Sequence, residues 1–190
     1  NTNFYIEMPG RRPEVPVTVY TKNIWLITAI ERESEAALGY SLSVLHNYGD
    51  SDVVACIRNS LVPWKRRNLI LEGVNYDEGD AFPSAVGLDF ICWDYFDLDN
   101  AKAHLSSASL NTIEKTTGAI PAYGPIERPN VRALIENFHA NLQNAAFKQW
   151  KGKKCFNIRA IEDAVDLLLA KYNNSPTDGE SVVRLEVCKK

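Results

Sequence analysis

The sequence predicts an α+β protein whose sheet is mainly antiparallel or mixed and packs against two or three helices. Two observations lead to this prediction. Segments dense in β-branched and aromatic residues fill the N-terminal half, whereas long amphipathic patterns fill the C-terminal half before a last strand-like segment at 181–188. At 190 residues, the chain fits a single domain, residues 1–190, with a buried core.

The first half of the chain predicts a series of strands. Residues 1–16 contain three prolines and one glycine and are expected to form an irregular lead-in. Segment 17–30 is rich in β-branched and aromatic residues and predicts a strand that breaks near Lys22. Segment 31–37 predicts a short helix or an exposed turn. Segment 38–50 alternates large apolar with small residues, which is typical of a half-buried strand with one polar face.

Further strands are predicted before the middle of the chain. Segment 52–62 is compatible with either a strand or a short helix. Segment 67–76 predicts a strand, and the acidic residues at 77–80 predict a turn. Segment 85–96 gives the strongest strand pattern, and its apolar residues on both faces predict a central, fully buried strand.

The second half predicts helices before that last strand. Segment 97–118 contains a helix, because it begins with aspartate caps and ends at a glycine. Segment 119–129 holds three prolines and predicts a loop. Two long amphipathic helices follow at 129–152 and 157–174, and Asn157 caps the second.

Composition and charge argue against several classes of function. The net charge of −3 disfavours a dedicated nucleic-acid-binding protein, which needs a surplus of Lys and Arg on one face. No apolar run approaches the length of a membrane span, and the start does not resemble a signal peptide. The four cysteines are widely spaced, which disfavours a zinc site and favours reduced, partly buried thiols. No motif predicts a cofactor or a metal site, and nothing indicates a cellular location.

The first of two basic clusters with a tryptophan lies at the end of helix 129–152. Lys151 and its neighbouring lysines complement the dipole at a helix C-terminus, which is the structural interpretation. Phe147 and Trp150 lie off the core face of this helix, on the same side as Arg132. An aromatic anchor beside positive charge predicts a partner-binding ridge as the alternative.

The second basic cluster consists of Trp64, Lys65, Arg66 and Arg67. Together with the first cluster it predicts a surface that stacks bases and contacts phosphates. The alternative is a solvated loop whose tryptophan covers the edge of the core. The spacing matches no established nucleic-acid-binding motif, so nucleic acid remains one possible partner beside protein.

An acidic segment, 75–100, contains seven carboxylates. Asp89, Asp94 and Asp97 are the candidate catalytic residues, because carboxylates gathered near a strand end can bind a divalent cation or act as acid and base. The structural alternative assigns the acidic residues of this segment to turns and helix caps.

Three hypotheses for function follow, and they leave open whether the chain is an enzyme. The first is a non-enzymatic interaction or assembly protein with a protein partner or a second copy. It includes a structural component matured from a larger precursor, such as a virion protein, because the sequence starts at Asn1 rather than Met. The second is a metal-dependent hydrolase or nuclease that uses the carboxylates at 89–99. The third is a nucleic-acid-associated protein that uses the two tryptophan-basic clusters.

Overall fold

The computed structural model shows an α+β fold with mixed strand pairing, as the sequence predicts. It describes residues 4–11, 15–89, 93–98, 106–123, 140, 155–176 and 182–188. The strands are β1 Phe4–Met8, β2 Val17–Thr21, β3 Trp25–Ile30, β4 Ala37–Ser43, β5 Tyr95–Leu98, β6 Ile120–Tyr123 and β7 Cys155–Asn157. The helices are α1 Asp50–Leu61, α2 Ser107–Thr112, α3 Ile158–Asn173 and α4 Arg184–Cys188.

The strands within the described residues form three small sheets. One sheet has the order β2-β1-β7, with β1 antiparallel to β2 and parallel to β7. Strands β3 and β4 form an antiparallel pair, and β5 and β6 form a parallel pair. The parallel pairs bring together strands that are distant in the chain, so long segments must cross between them.

Helix α3 lies at the centre of the main core. Asn157 caps it as predicted, because its side-chain oxygen accepts a hydrogen bond from the Arg159 amide at 2.9 Å. The fully buried Leu169 packs in one cluster with Ile6 of β1 and Phe82 of the chain that follows α1. A second cluster joins α1 to β5 and to the segment between α2 and β6, and it includes Val53, Ile57, Leu98, Ile113 and Ala119.

Strand β4 is covered on the face that its sequence marks as polar. Its burial alternates, but Gly39 and Ser41 belong to the more buried set and Tyr40 to the half-buried set. Helix α1 explains this, because Ser41 Oγ donates to the Asp52 carbonyl at 2.6 Å and a methyl group on Gly39 would lie 2.6 Å from the Ser60 nitrogen. The small residues thus permit a close approach of helix to strand, and segment 52–62 resolves as helix.

Two predicted strands are wrong. Segment 67–76 has no ladder, since the amide of Ile70 donates to the side chain of Asp163 instead. Segment 85–96 is not a central strand. It begins in a 3-10 turn, Pro83–Ala85, and continues through Gly87 at a φ of +91°, which extended chain does not adopt. Only Tyr95–Leu98 is extended, in a two-stranded sheet, while 90–92 lie outside the described residues.

The last predicted strand is also wrong, because α4 occupies residues 184–188. The guanidinium of Arg184 donates to the carbonyls of Ser175 at 3.0 Å and Pro176 at 2.7 Å, and lies 4.0 Å from the centre of the Tyr172 ring. These contacts fix the segment against the C-terminal end of α3. A single bridge between Pro176 and Val183 is the extended pairing found there.

Smaller corrections concern the two segments predicted to be irregular. The lead-in 1–16 contains β1, and the loop 119–129 contains β6. Segment 31–37 forms a turn, and the helix predicted in 97–118 is present as α2 with a π-helical turn, Ile113–Thr117, before Gly118.

The helix predicted at 129–152 lies outside the described residues, apart from position 140. Within the part of the chain that the structure describes, no helix combines the length and the apolar content needed to cross a membrane.

Candidate functional site

A coil of residues 62–82, without helix or strand, runs along α3 and is held there by side chains. Helix α3 directs Asp163 and Asp166 toward this coil, because positions three apart share one side of a helix. Both carboxylates are buried, with exposed fractions of 0% and 3%. A buried carboxylate must find donors, so these two residues determine where the polar groups of the coil lie.

Asp163 binds the coil through two hydrogen bonds. One carboxylate oxygen accepts from Arg67 Nε at 2.8 Å, and the other accepts from the backbone amide of Ile70 at 2.7 Å. The second bond replaces the ladder partner that Ile70 would have in a strand. Asp163 therefore fixes the backbone as well as a side chain of the coil.

Arg67 bridges two neighbouring carboxylates of α3. Its Nη2 lies 2.7 Å from Glu162 Oε2, while its Nε pairs with Asp163. Burial alone would lower the pKa of Arg67, but the hydrogen bonds and charges of these carboxylates outweigh burial and raise it. The guanidinium stays charged, and its charge is paired with the two carboxylates of α3.

Asp166 is the hub of a second group of contacts. Its Oδ1 accepts a hydrogen bond from the Tyr76 hydroxyl at 2.6 Å, and its Oδ2 accepts one from the Tyr40 hydroxyl at 3.1 Å. The indole Nε1 of Trp64 donates to both oxygens at 3.2 and 3.1 Å. Three donors from β4 and the coil thus meet at one carboxylate.

The electrostatics of this hub follow from its burial. Burial raises the pKa of Asp166, and the donors Tyr76, Trp64 and Tyr40 offset that effect only in part. Burial, together with the nearby carboxylate, also raises the pKa of Tyr40 and of Tyr76. The two tyrosines therefore remain protonated donors at neutral pH.

Asn173 makes the same kind of connection at the other end of α3. It is fully buried, accepts from the Ala37 amide at 2.8 Å, and donates to the carbonyls of Ala37 at 2.9 Å and Ala81 at 3.1 Å. It links β4 and the end of the coil to the helix. The buried polar side chains of α3 therefore hydrogen-bond to other parts of the same chain, namely the coil and β4.

The structure places three of the four residues in the predicted cluster 64–67 in these contacts. Trp64 packs against Tyr76 and Phe82, with ring centres 5.5 and 5.3 Å apart, so it covers the edge of the core. Arg66 lies over the Tyr76 ring and donates to the Asp77 carbonyl at 2.8 Å. Lys65 is exposed. Trp64, Arg66 and Arg67 therefore make contacts within the chain, and a role of the cluster in binding another molecule stays a prediction.

The candidate catalytic carboxylates lie apart from the α3 contacts. Asp89 is half-buried in a turn, whereas Asp94 and Asp97 are exposed at the start of β5 and within it. Among the described residues, no three or more Asp, Glu, His or Cys side chains are grouped as metal ligands would be. The first basic cluster, Arg132, Phe147, Trp150 and Lys151, lies outside the described residues.

Neither Cys56 nor Cys188 forms a disulfide within the described residues. Cys56 is buried and free, and burial raises the pKa of its thiol to about 12. Cys188 is half-buried and also free, and burial raises the pKa of its thiol. Their burial agrees with the predicted partly buried thiols, and the reduced state stays a prediction.

A surface of another kind lies on the hairpin formed by β1 and β2. Tyr5 and Tyr20 are paired across the strands, and their rings meet edge to face with centres 5.7 Å apart. Their exposed fractions are 47% and 51%, and that of Val17 in β2 is 49%. We call the pair Tyr5 and Tyr20 the hairpin surface. Val17 pairs with Met8 and lies on the opposite face of β2, because side chains alternate along a strand. Another exposed pair, Tyr95 and Ile120, lies on β5 and β6.

Sequence reasoning missed Asp163, Asp166 and Asn173, and it missed the hairpin surface. The available signal for the first set was two aspartates within an apolar helix, which burial forces into specific contacts. The signal for the second was the pattern of residues 17–21, which are apolar or β-branched throughout.

Comparison with known proteins adds no family to this description: no protein-family model matches the sequence, and no curated protein is significantly similar to it. The functional argument therefore depends on the geometry of the two regions. The hydrogen-bonding groups of the α3 contacts are directed at this chain, whereas the rings of the hairpin surface are exposed.

Proposed function

We propose that this chain is a non-enzymatic assembly protein that associates with itself through the hairpin surface. The observation that carries the proposal is the exposed, cross-strand pair of Tyr5 and Tyr20 on one face of the hairpin. Single exposed apolar side chains are normal on protein surfaces, but adjacent ones form a patch that marks a contact site.

The composition of the hairpin surface suits protein contact. Tyrosine supplies a large apolar area and a polar end while it loses few rotamers, which makes it frequent at interfaces. The rings of Tyr5 and Tyr20 already hold each other in an edge-to-face arrangement. Part of the ordering cost of association is therefore met before a partner arrives.

The contacts of α3 support the same proposal in a different way. Arg67 and Asp163 pair with each other, and Asp166 receives Trp64, Tyr40 and Tyr76. These side chains carry the chemistry that a hydrolase would use, and each is engaged in holding the coil or β4 to the helix. These contacts hold α3 in place, and Ile6 of β1 packs in the same core cluster as α3.

Sedimentation velocity across a wide range of protein concentrations tests the proposal. The parent chain should form a reversible oligomer, and the double variant Tyr5→Thr with Tyr20→Thr should weaken its self-association about thirtyfold, a typical loss for an aromatic anchor. Threonine keeps the strand propensity, so the fold should persist.

Tyr95→Thr provides the matched control, because Tyr95 is an exposed tyrosine on a different strand pair, with an exposed fraction of 68%. It should associate like the parent. Identical sedimentation of the parent and the double variant would refute the proposal, whether both are monomeric or both associate to the same extent.

A further inference from the structure

Strand β2 is the outer strand of the three-stranded sheet. Among the described residues, its pairing partner is β1, whose other side pairs with β7. One edge of β2 therefore presents backbone N–H and C=O groups that form no hydrogen bonds with a described strand. Such an edge is a template for another strand.

The other sheet edges carry devices that discourage strand addition, and β2 does not. Strand β6 contains Pro121, β5 carries the exposed Asp97, and β7 is three residues long. The pairing of β3 with β4 shifts register between Ala29 and Ile30. Prolines, charges, short strands and irregular pairing are the protections that edge strands use.

By contrast, β2 is regular and uncharged. Its residues 17–21 pair with β1 in continuous register and contain no charged residue and no proline. Val17 pairs with Met8, which packs on the core, yet Val17 itself is 49% exposed. The strand thus extends past the core that its partner covers, and an added strand would lie beside this apolar overhang.

We infer that the occupant of this edge is β2 of a second copy, paired antiparallel about a two-fold axis at Val19. This inference rests on the self-association proposed above. In this register Val19 lies opposite its own equivalent, Thr18 lies opposite Tyr20, and Val17 lies opposite Thr21 of the other copy. The two β2 strands bring no charge against each other.

Charge does not oppose association at this strand. Each copy carries a net charge of −3, so association is opposed wherever acidic groups meet. An uncharged strand avoids that cost. The product is a continuous six-strand sheet with the order β7-β1-β2-β2-β1-β7, in which the Tyr5 and Tyr20 rows of both copies run along one face. Two short strands bury less than a standard interface of about 1,600 Å², so the dimer is weak and reversible.

A pair of charge variants tests the register. In Thr18→Lys with Tyr20→Lys, two lysines of one copy lie opposite two of the other, and dimerisation should weaken about tenfold or more. In Thr18→Lys with Tyr20→Glu, each lysine lies opposite a glutamate. Both variants lack Tyr20, so the comparison is between them, and dimerisation should be about tenfold or more stronger in this variant than in the double-lysine variant. Within one copy Thr18 pairs with Glu7, so the new lysine has an opposite charge beside it in both variants.

Sedimentation of the parent and both variants separates the outcomes. A parent dimer that both variants weaken, the double-lysine variant about tenfold or more beyond the other, supports two-fold β2 pairing. If the two variants associate equally and both more weakly than the parent, the β2 register is overturned and the proposed self-association stands. A parent that stays monomeric at every concentration overturns both.

A covalent trap keeps the inference testable if a charge variant unfolds. Val19→Cys brings two thiols opposite each other in the two-fold register, and mild oxidation should link them, as peptide mapping would show. Val17→Cys is the matched control, since it lies opposite Thr21 and should link far less. Equal linkage at both positions would overturn the register.

Discussion

Replacing Asp163 by Asn tests whether the buried half of the Arg67 bridge holds the coil 62–82 on α3. The carboxylate accepts from Arg67 Nε at 2.8 Å and from the Ile70 amide at 2.7 Å, one bond at each oxygen. An amide at this position offers one oxygen and one NH₂ group. One of the two donors must therefore face another donor.

The expected cost follows from these two bonds. A buried donor without an acceptor costs about 1–3 kcal/mol, and loss of a buried ion-pair partner costs about 3–5 kcal/mol. Asn keeps one acceptor, and Arg67 keeps its bond to Glu162, so we expect Asp163→Asn to lower the free energy of unfolding by about 2–4 kcal/mol.

Glu162→Gln is a matched control on the same helix and the same arginine. Glu162 binds Arg67 at 2.7 Å, but its side chain is 39% exposed, whereas that of Asp163 is 0% exposed. Exposed ion pairs contribute at most about 1 kcal/mol, so this change should cost no more than that.

Urea unfolding followed by far-UV circular dichroism measures both variants. Amide hydrogen exchange then localises the effect, since Ile70 N–H should lose protection in Asp163→Asn and keep it in Glu162→Gln. Equal costs for the two variants, or a retained protection of Ile70 in both, would refute the argument that the buried contact fixes the coil.

Two further predictions concern packing and pH. Gly39→Ala should lower the free energy of unfolding by about 3 kcal/mol, because its methyl group would lie 2.6 and 2.7 Å from Ser60 backbone atoms. Adding Ser60→Gly should not restore stability, whereas Gly49→Ala, with nothing within 4 Å, should cost under about 1 kcal/mol. The raised pKa of Asp166 means that its contribution is complete below its unfolded pKa of about 4 and declines as pH rises through the folded value. In urea titrations the stability of the parent relative to Asp166→Asn should therefore fall with increasing pH above about 4, and a rise would contradict this assignment.

The elements that depend on local chemistry were predictable from the sequence. Helix α3 was found almost to the residue, because Asn157 caps its start and its apolar positions recur with helical spacing. The break between β2 and β3 and the stop at Gly118, with a φ of +74°, are equally local. The alternation of large apolar and small residues along β4 was also predicted. Which of its faces packs against α1 was not, because that depends on tertiary contacts.

The errors share a cause in contacts between distant residues. Segment 67–76 has strand composition, but Asp163, which lies 93 positions after Ile70, takes the amide of Ile70. The cluster at 64–67 was noticed, yet its meaning depends on Asp166, which lies 102 positions beyond Trp64. No local sequence spacing connects such distant pairs. The residues could therefore be singled out from the sequence, but their bonding partners could not be predicted.

The parallel register of β1 with β7 has a consequence for the order of folding. Tyr5 pairs with Cys155, so the first sheet joins the beginning of the described chain to a segment near its end. During synthesis from the N-terminus, the β1–β2 hairpin emerges long before β7, and β1 waits with one side unpaired. Closing so large a loop is entropically slow, which predicts slow refolding for this chain compared with helical proteins of its size. A nascent chain that stops short of β7 would expose two open strand edges instead of one, and it would be most prone to misassembly at that stage.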